Sequence, residues 1–208
     1  SKFYQVLIPY LPAWLWPLLT TNQDPLVTIS LPSDGKVPLF LLLRATLAAS
    51  MAFAELSFCH AIMSQKSETV RVMGLTTAVL MLFSAGMSHA SGALLPSSTL
   101  TMLWLLAAAA FLKHQHIIFA FWAIAATLAI GWPFGVLMFV PLGLVVLVRE
   151  RARLIRFVFL VAVLAASIQG VVMAIDRKQY GKWVSPTWNI LIYNTQAGGD
   201  ELYGIETW

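Results

Sequence analysis

Long apolar runs alternate with short polar breaks along most of the chain. A bilayer crossing needs roughly 20 apolar residues, and Pro38–Ile62, Val70–His89 and Leu154–Ile175 meet that length. Leu100–Leu112 is shorter, but the mild residues from Leu94 onward extend it. The run Ile117–Val148 is too long for one ordinary span and is interrupted by "GWPFG" at 131–135. It is either one kinked helix or two short helices meeting at Trp132-Pro133.

Charge separates these alternatives. The breaks "SQKSETVR", "KHQH" and "RERARLIR" carry Lys66, Arg71, Lys113, Arg149, Arg151, Arg153 and Arg156, whereas "ASGALLPSS" and "GWPFG" carry no charge. A hairpin within 117–148 puts all three basic breaks on one membrane face, as the excess of Lys and Arg in cytoplasmic loops requires. A single helix would split them. The pattern therefore predicts an all-α, polytopic transmembrane bundle of about six crossings with a helical hairpin broken at Trp132-Pro133. The basic breaks are cytoplasmic and both ends of the chain lie on the opposite side. Arg177, Lys178 and Lys182 run against the charge rule locally, but the three concordant breaks outweigh them. The hairpin helices, at roughly 15 residues each, reach only about 22 Å. They tilt little, sit in a thin membrane or stop short inside the protein.

Three regions follow: a lumenal or interfacial segment at 1–37, the transmembrane bundle at 38–175, and a lumenal loop at 176–208 that the chain's end truncates. The first contains "FYQVLIPYLPAWLWPLL", too rich in proline for an ordinary span. Its Tyr4, Tyr10, Trp14 and Trp16 suit the headgroup layer, where a ring keeps one edge wet. The sequence starts at Ser1 and the first apolar stretch is broken by Pro9, Pro12 and Pro17, so no cleavable leader is expected and the chain is expected to be a piece of something longer.

Composition agrees with a bilayer environment. Of 208 residues 59% are hydrophobic and 11% charged, against about a quarter charged in soluble domains. The net charge of +4 sits between apolar runs, so it reports orientation, and no nucleic-acid partner is expected. Cys59 stands alone within an apolar run and is expected to pack as a small hydrophobe.

Chemistry-bearing residues are sparse. Arg44 and Glu55 share one predicted span and one helix face. Each is expected to face protein or water rather than lipid, and Arg44 is also placed to meet a lipid phosphate. His114 and His116 read as a solvated turn, and His60 and His89 as span ends. No Cys, His and carboxylate cluster has metal-ligand spacing, and neither a metal nor another cofactor is expected. "GWPFG" frees backbone groups that protein or water must satisfy; such a break is either a tight hairpin or the wall of a substrate path. The tail "DRKQYGKWVSPTWNILIYNTQAGGDELYGIETW" mixes aromatic rings with amides and carboxylates. That mixture suits sugars, whose C–H faces stack on rings and whose hydroxyls pair with amides and acids. A plain solvated loop has the same composition.

Four strings together resemble one family. "LRATLAASMAFAEL", "ALLPSS", "AIGWPFG" and "DRKQYGKWVSPTWNILIYN…DELYGIETW" are similar to the endoplasmic-reticulum α-1,2-mannosyltransferases of N-glycan precursor assembly, glycosyltransferase family 22 with the GT-C fold. The family pattern falls on Asp176, Tyr180, Gly181, Lys182, Pro186, Asn189, Tyr193, Asn194, Leu202, Tyr203, Gly204 and Trp208. The chain departs from it at Thr99–Met102, where an aromatic and Met-Tyr are usual, and at Thr207, where proline is usual. The resemblance implies a multi-pass membrane enzyme moving mannose from dolichyl-phosphate mannose to a dolichol-linked oligosaccharide, with membrane lipid around it. It implies substrate contacts at Tyr180, Lys182, Asn189, Asn194, Tyr203, Glu206 and Trp208. It also implies an acidic catalytic pair in a first lumenal loop, and residues 1–37 contain none. No residue here is expected to be catalytic, and the chain alone is expected to be inactive. The competing expectations are a transporter-like bundle and a non-catalytic membrane relative.

Overall fold

The computed structural model describes residues 36–84, 86–87, 91–93, 95–130, 132–183 and 185–195. These residues form helices, and no strand occurs among them. In chain order they are α1 (Lys36–Met63), α2 (Glu68–Phe83), α3 (Pro96–Leu112) and α4 (His116–Ile124), which widens into a π turn at Ala125–Ala129. A tight turn at Pro133–Gly135 leads into α5 (Val136–Arg149), and a second at Arg151–Arg153 into α6 (Leu154–Tyr180). The last described helix is α7 (Pro186–Thr195).

Two helical segments, Phe40–Met63 and Arg151–Lys178, are long and apolar enough to cross a membrane. Only 11% and 6% of their most apolar windows are buried within the chain, which separates them from the core helices of a soluble domain. The outward side chains are large and apolar: Phe83 is 80% exposed and Ile155 88%. Uncovered surface of that kind marks contact with lipid or with more protein.

Helix α3 is the hub. Leu103, Leu105 and Ala107–Ala110 are all buried, because α1 packs on one side and α4 on another. Between apolar helices in lipid the close approach of small side chains matters more than water exclusion. The seam fits that rule, with Ala54 and Ala61 of α1 fully buried one heptad apart. Cys59 is buried too, its Sγ 4.0 Å from Met81 Sδ, so it packs as a small hydrophobe. Hydroxyls inside the helices are satisfied within their own backbone: Thr46 bonds to the Leu42 carbonyl, Ser50 to Thr46, Thr77 to Met73 and Ser167 to Val163. Such back-bonding is how a polar group avoids an unpaired proton in an apolar medium.

Long-range contacts fix the helix directions. Gln65 Nε2 donates to the Leu112 carbonyl at 3.1 Å, so α1 and α3 end side by side. His116, opening α4, reaches Glu150 just after α5 at 2.6 Å, so the chain reverses between α4 and α5 as the charge pattern required. The three basic breaks therefore gather at one end of the bundle. At the other end, the Thr99 hydroxyl near the start of α3 lies 3.3 Å from the Ile130 carbonyl.

The structure changes several expectations. Helix α2 stops at Phe83, short of the expected His89; Ser84 ends it in an extended conformation, and its Oγ accepts the Met87 N–H at 3.3 Å. His89 itself lies outside the described residues. Helix α6 runs on to Tyr180, where Gly181 takes the left-handed conformation (φ 71°) and its N–H closes on the Arg177 carbonyl. Gly is the residue that adopts this C-terminal geometry without steric penalty. The stretch read as a loop from 176 thus begins as helix and contains α7. His116 is not part of a solvated turn: with Glu150 it forms the one ion pair among the described residues.

Candidate functional site

The helix break in "GWPFG" leaves carbonyls that a continuing helix would satisfy with amides. Here hydroxyls from two other elements do so. Thr187 Oγ1 on α7 donates to the Leu128 carbonyl at 3.0 Å, and Thr99 Oγ1 sits against that of Ile130. Thr99 is 4% exposed. Gly135 closes the break from the other side. A Cβ there would stand 2.5 Å from Leu100 Cδ1, so any larger residue must displace the buried Leu100 side chain or lift the turn off α3.

Helix α7 starts where Ser185 precedes Pro186. The Ser185 hydroxyl accepts the Trp188 N–H at 3.4 Å, three residues on, in the manner of an N-cap. Proline in the first turn is tolerated because its missing N–H would have no partner there. The same hydroxyl accepts Gln169 Nε2 at 3.0 Å, which ties α7 to the middle of α6. The hairpin break, α6 and α7 are in this way one polar unit at the end of the bundle opposite the three basic breaks.

Of the sequence-derived contacts, Tyr180 ends α6, Lys182 follows in the link, and Asn189 lies on α7; all three are exposed. The link 181–185 is short, so one end of the bundle carries them together. Asn194 lies on α7 by its backbone. Tyr203, Glu206 and Trp208 lie outside the described residues. Beside Lys182, the Arg177 guanidinium stacks over the Trp183 ring at 4.5 Å, and Lys178 is exposed. The result is a cationic, aromatic rim that can hold a phosphate and stack on a sugar ring.

Sequence reasoning missed the residues beneath that rim. Asp176 is 5% exposed, and its Oδ2 has no hydrogen-bond partner among the described residues. Gln169 Oε1, two turns earlier on α6, is also buried and unpaired. Asp176 belongs to the matched family pattern, and that was its one signal; for Gln169 there was none. Between α4, α5 and α6 runs an apolar cavity of about 250 Å³ lined by Phe119, Phe139, Gly143, Val146, Phe157 and Val161. Among the described residues no group of three or more His, Cys, Asp or Glu is placed to hold a metal ion.

Comparison with known proteins decides the family. The sequence profile of the Alg9-like mannosyltransferase family matches residues 1–208. The chain belongs to the Alg9-like mannosyltransferase family. It is 28% identical over 206 residues to the alpha-1,2-mannosyltransferase algn-9 of Caenorhabditis elegans, covering 99% of this chain and 31% of that protein. It is 33% identical over 175 residues to the alpha-1,2-mannosyltransferase ALG9 of Mus musculus, covering 84% of this chain and 28% of the mouse protein. With Alg9 of Drosophila melanogaster the identity is 36% over 129 residues, 62% of this chain and 20% of the fly protein. The chain thus spans under a third of the length of these curated relatives. No solved structure matches it.

Proposed function

We propose that the protein to which this chain contributes transfers mannose from dolichyl-phosphate mannose to a dolichol-linked oligosaccharide, forming an α-1,2 linkage in the endoplasmic-reticulum lumen. Membership of the Alg9-like family across residues 1–208 carries this reading. The cationic, aromatic rim of α6 and α7 supports it, because the reaction needs a group that holds a leaving phosphate and a surface that stacks on sugar.

In this reading Lys182, with Lys178 near it, offsets the charge that develops on dolichyl phosphate as the anomeric bond breaks. Tyr180, Asn189 and Asn194 bind sugar hydroxyls and ring faces, as do Tyr203, Glu206 and Trp208 beyond them. The acceptor 2-hydroxyl attacks with inversion and surrenders its proton to a carboxylate. No residue of this chain is assigned that role. The apolar cavity between α4, α5 and α6 has the character of a polyisoprenyl chain, and lies in the same bundle as the rim.

The fold we propose is a GT-C-type, multi-pass bundle of about six crossings, the long helices spanning fully and the hairpin helices spanning a shorter depth. Its basic end faces the cytoplasm and its α6–α7 end the lumen. Residues 1–37 lie at the lumenal interface and 176–208 form the lumenal rim.

The test is transfer by the full-length protein in microsomes supplied with radiolabelled dolichyl-phosphate mannose and dolichol-linked oligosaccharide. Label that an α-1,2-mannosidase releases is expected. Lys182→Gln should lower transfer at least tenfold, about 1.4 kcal/mol, with the protein's abundance and thermal midpoint unchanged. Absence of transfer by the unsubstituted protein, or label resistant to the mannosidase, would reject the reading.

A further inference from the structure

At the basic end, the start of α6 is electrostatically mismatched. Helix N-termini carry a partial positive charge and favour acids, yet the first turn of α6 contains none. Instead Arg153 occupies the N-cap position and Arg156 the first turn. Neither guanidinium makes a hydrogen bond or ion pair among the described residues, and both are exposed. Two positive charges are thus added to a positive helix pole.

These two arginines line a groove of about 230 Å³ together with Glu150, Ile117, Phe157 and Leu160. Glu150 is the one acid lining it, and His116 Nδ1 already holds its Oε1 at 2.6 Å. The neighbouring Arg149 is also engaged, lying over the Phe111 ring at 4.8 Å and 3.4 Å from His114 Nδ1. Within the groove, the guanidiniums without a partner among the described residues are therefore those of Arg153 and Arg156; Arg151, also exposed, lies outside its lining. The groove continues apolar, since Ile117 and Leu160 are 43% and 42% exposed and open onto the uncovered face of α6.

We propose that this groove binds the phosphate headgroup of an anionic phospholipid. Arg153 and Arg156 hold the phosphate at the N-terminus of α6, and the acyl chains lie against Ile117, Phe157 and Leu160. A polar head of two free guanidiniums joined to a lipid-facing apolar wall fits an anionic amphiphile. Juxtamembrane basic pockets between helices recognise anionic headgroups by the same physics. The bound phosphate would remove the charge mismatch at the start of α6. This site lies at the opposite end of the bundle from the rim proposed for substrate, and stands independently of the transfer reaction.

The experiment is native mass spectrometry and thermal unfolding of the protein released from nanodiscs of phosphatidylcholine with or without phosphatidylserine. The wild type should retain phosphatidylserine in preference to phosphatidylcholine and unfold at a higher temperature with it. R153Q/R156Q should retain it about 30-fold less well, from roughly one decade and a half for two interfacial arginines. R153K/R156K, which keeps the charge, should recover part of that loss. R151Q, which removes a neighbouring arginine outside the groove, should behave as wild type. Equal retention by R153Q/R156Q and wild type would overturn the proposal. So would a loss in R151Q as large as in the double variant, which would indicate a diffuse field, or full replacement of the lipid's stabilising effect by inorganic phosphate, which would indicate a soluble anion.

Discussion

The two ends of the bundle are held together by different chemistry. At the basic end charged side chains bridge the turns: His116 to Glu150, Arg149 to His114 and to the Phe111 ring. At the opposite end neutral hydroxyls close onto main-chain carbonyls, Thr187 onto Leu128 and Thr99 onto Ile130. The difference has a physical consequence. A charged tie is screened by salt and weakened by any competing ion, whereas a hydroxyl–carbonyl tie is indifferent to both. At the end with neutral ties Lys178 and Lys182 are exposed, and no helix contact among the described residues depends on their charge.

That contrast can be broken in graded steps. The largest effect is all or none: a glycosylation acceptor engineered between Gly92 and Pro96 should be fully modified in microsomes, and one at Ser67 should not. The opposite pattern would invert the assignment of the two ends. Next, Gly135→Val forces a side chain into Leu100 and should destabilise the protein by about 3 kcal/mol, the upper range for overpacking. Thermal unfolding in detergent would show it as a lowered midpoint, and an unchanged midpoint would mean the turn can lift off α3. Thr187→Val keeps the shape but leaves the Leu128 carbonyl unpaired, at about 1–2 kcal/mol, and this loss should not vary with salt. The smallest effect is expected from Glu150→Gln, about 0.5–1 kcal/mol for a partly exposed pair. Here the loss should shrink as salt rises. Identical salt responses for Thr187→Val and Glu150→Gln would erase the distinction between the ends.

The parts of this architecture legible in the sequence were those written locally. Pro133 between two glycines, with basic residues far to either side, sufficed for the chain reversal. Cys59 within an apolar run sufficed for its burial. Contacts between distant residues left no local trace. Thr187 and Leu128 are 59 residues apart, and His116 and Glu150 are 34 apart; their meeting depends on helix packing that no single stretch encodes. The stop of α2 at Phe83 was missed although Ser84, Gly86, Ser88 and His89 already dilute the apolar run; length alone had carried the span to His89. Helix α7 was missed although Ser185-Pro186 is a local start signal. Its aromatic and amide content read as a sugar-binding loop, and the same residues serve on a helix.

The Leu128 bond also sets what the sequence is free to change. A main-chain carbonyl is present whatever residue occupies 128, so that position can vary among apolar side chains without losing the acceptor. Position 187 has no such freedom. It supplies the proton from a short side chain, which favours threonine or serine for as long as the helix stays broken. Across related chains the two positions should therefore drift at unequal rates, with the tolerant partner inside the membrane bundle and the restricted one at its rim.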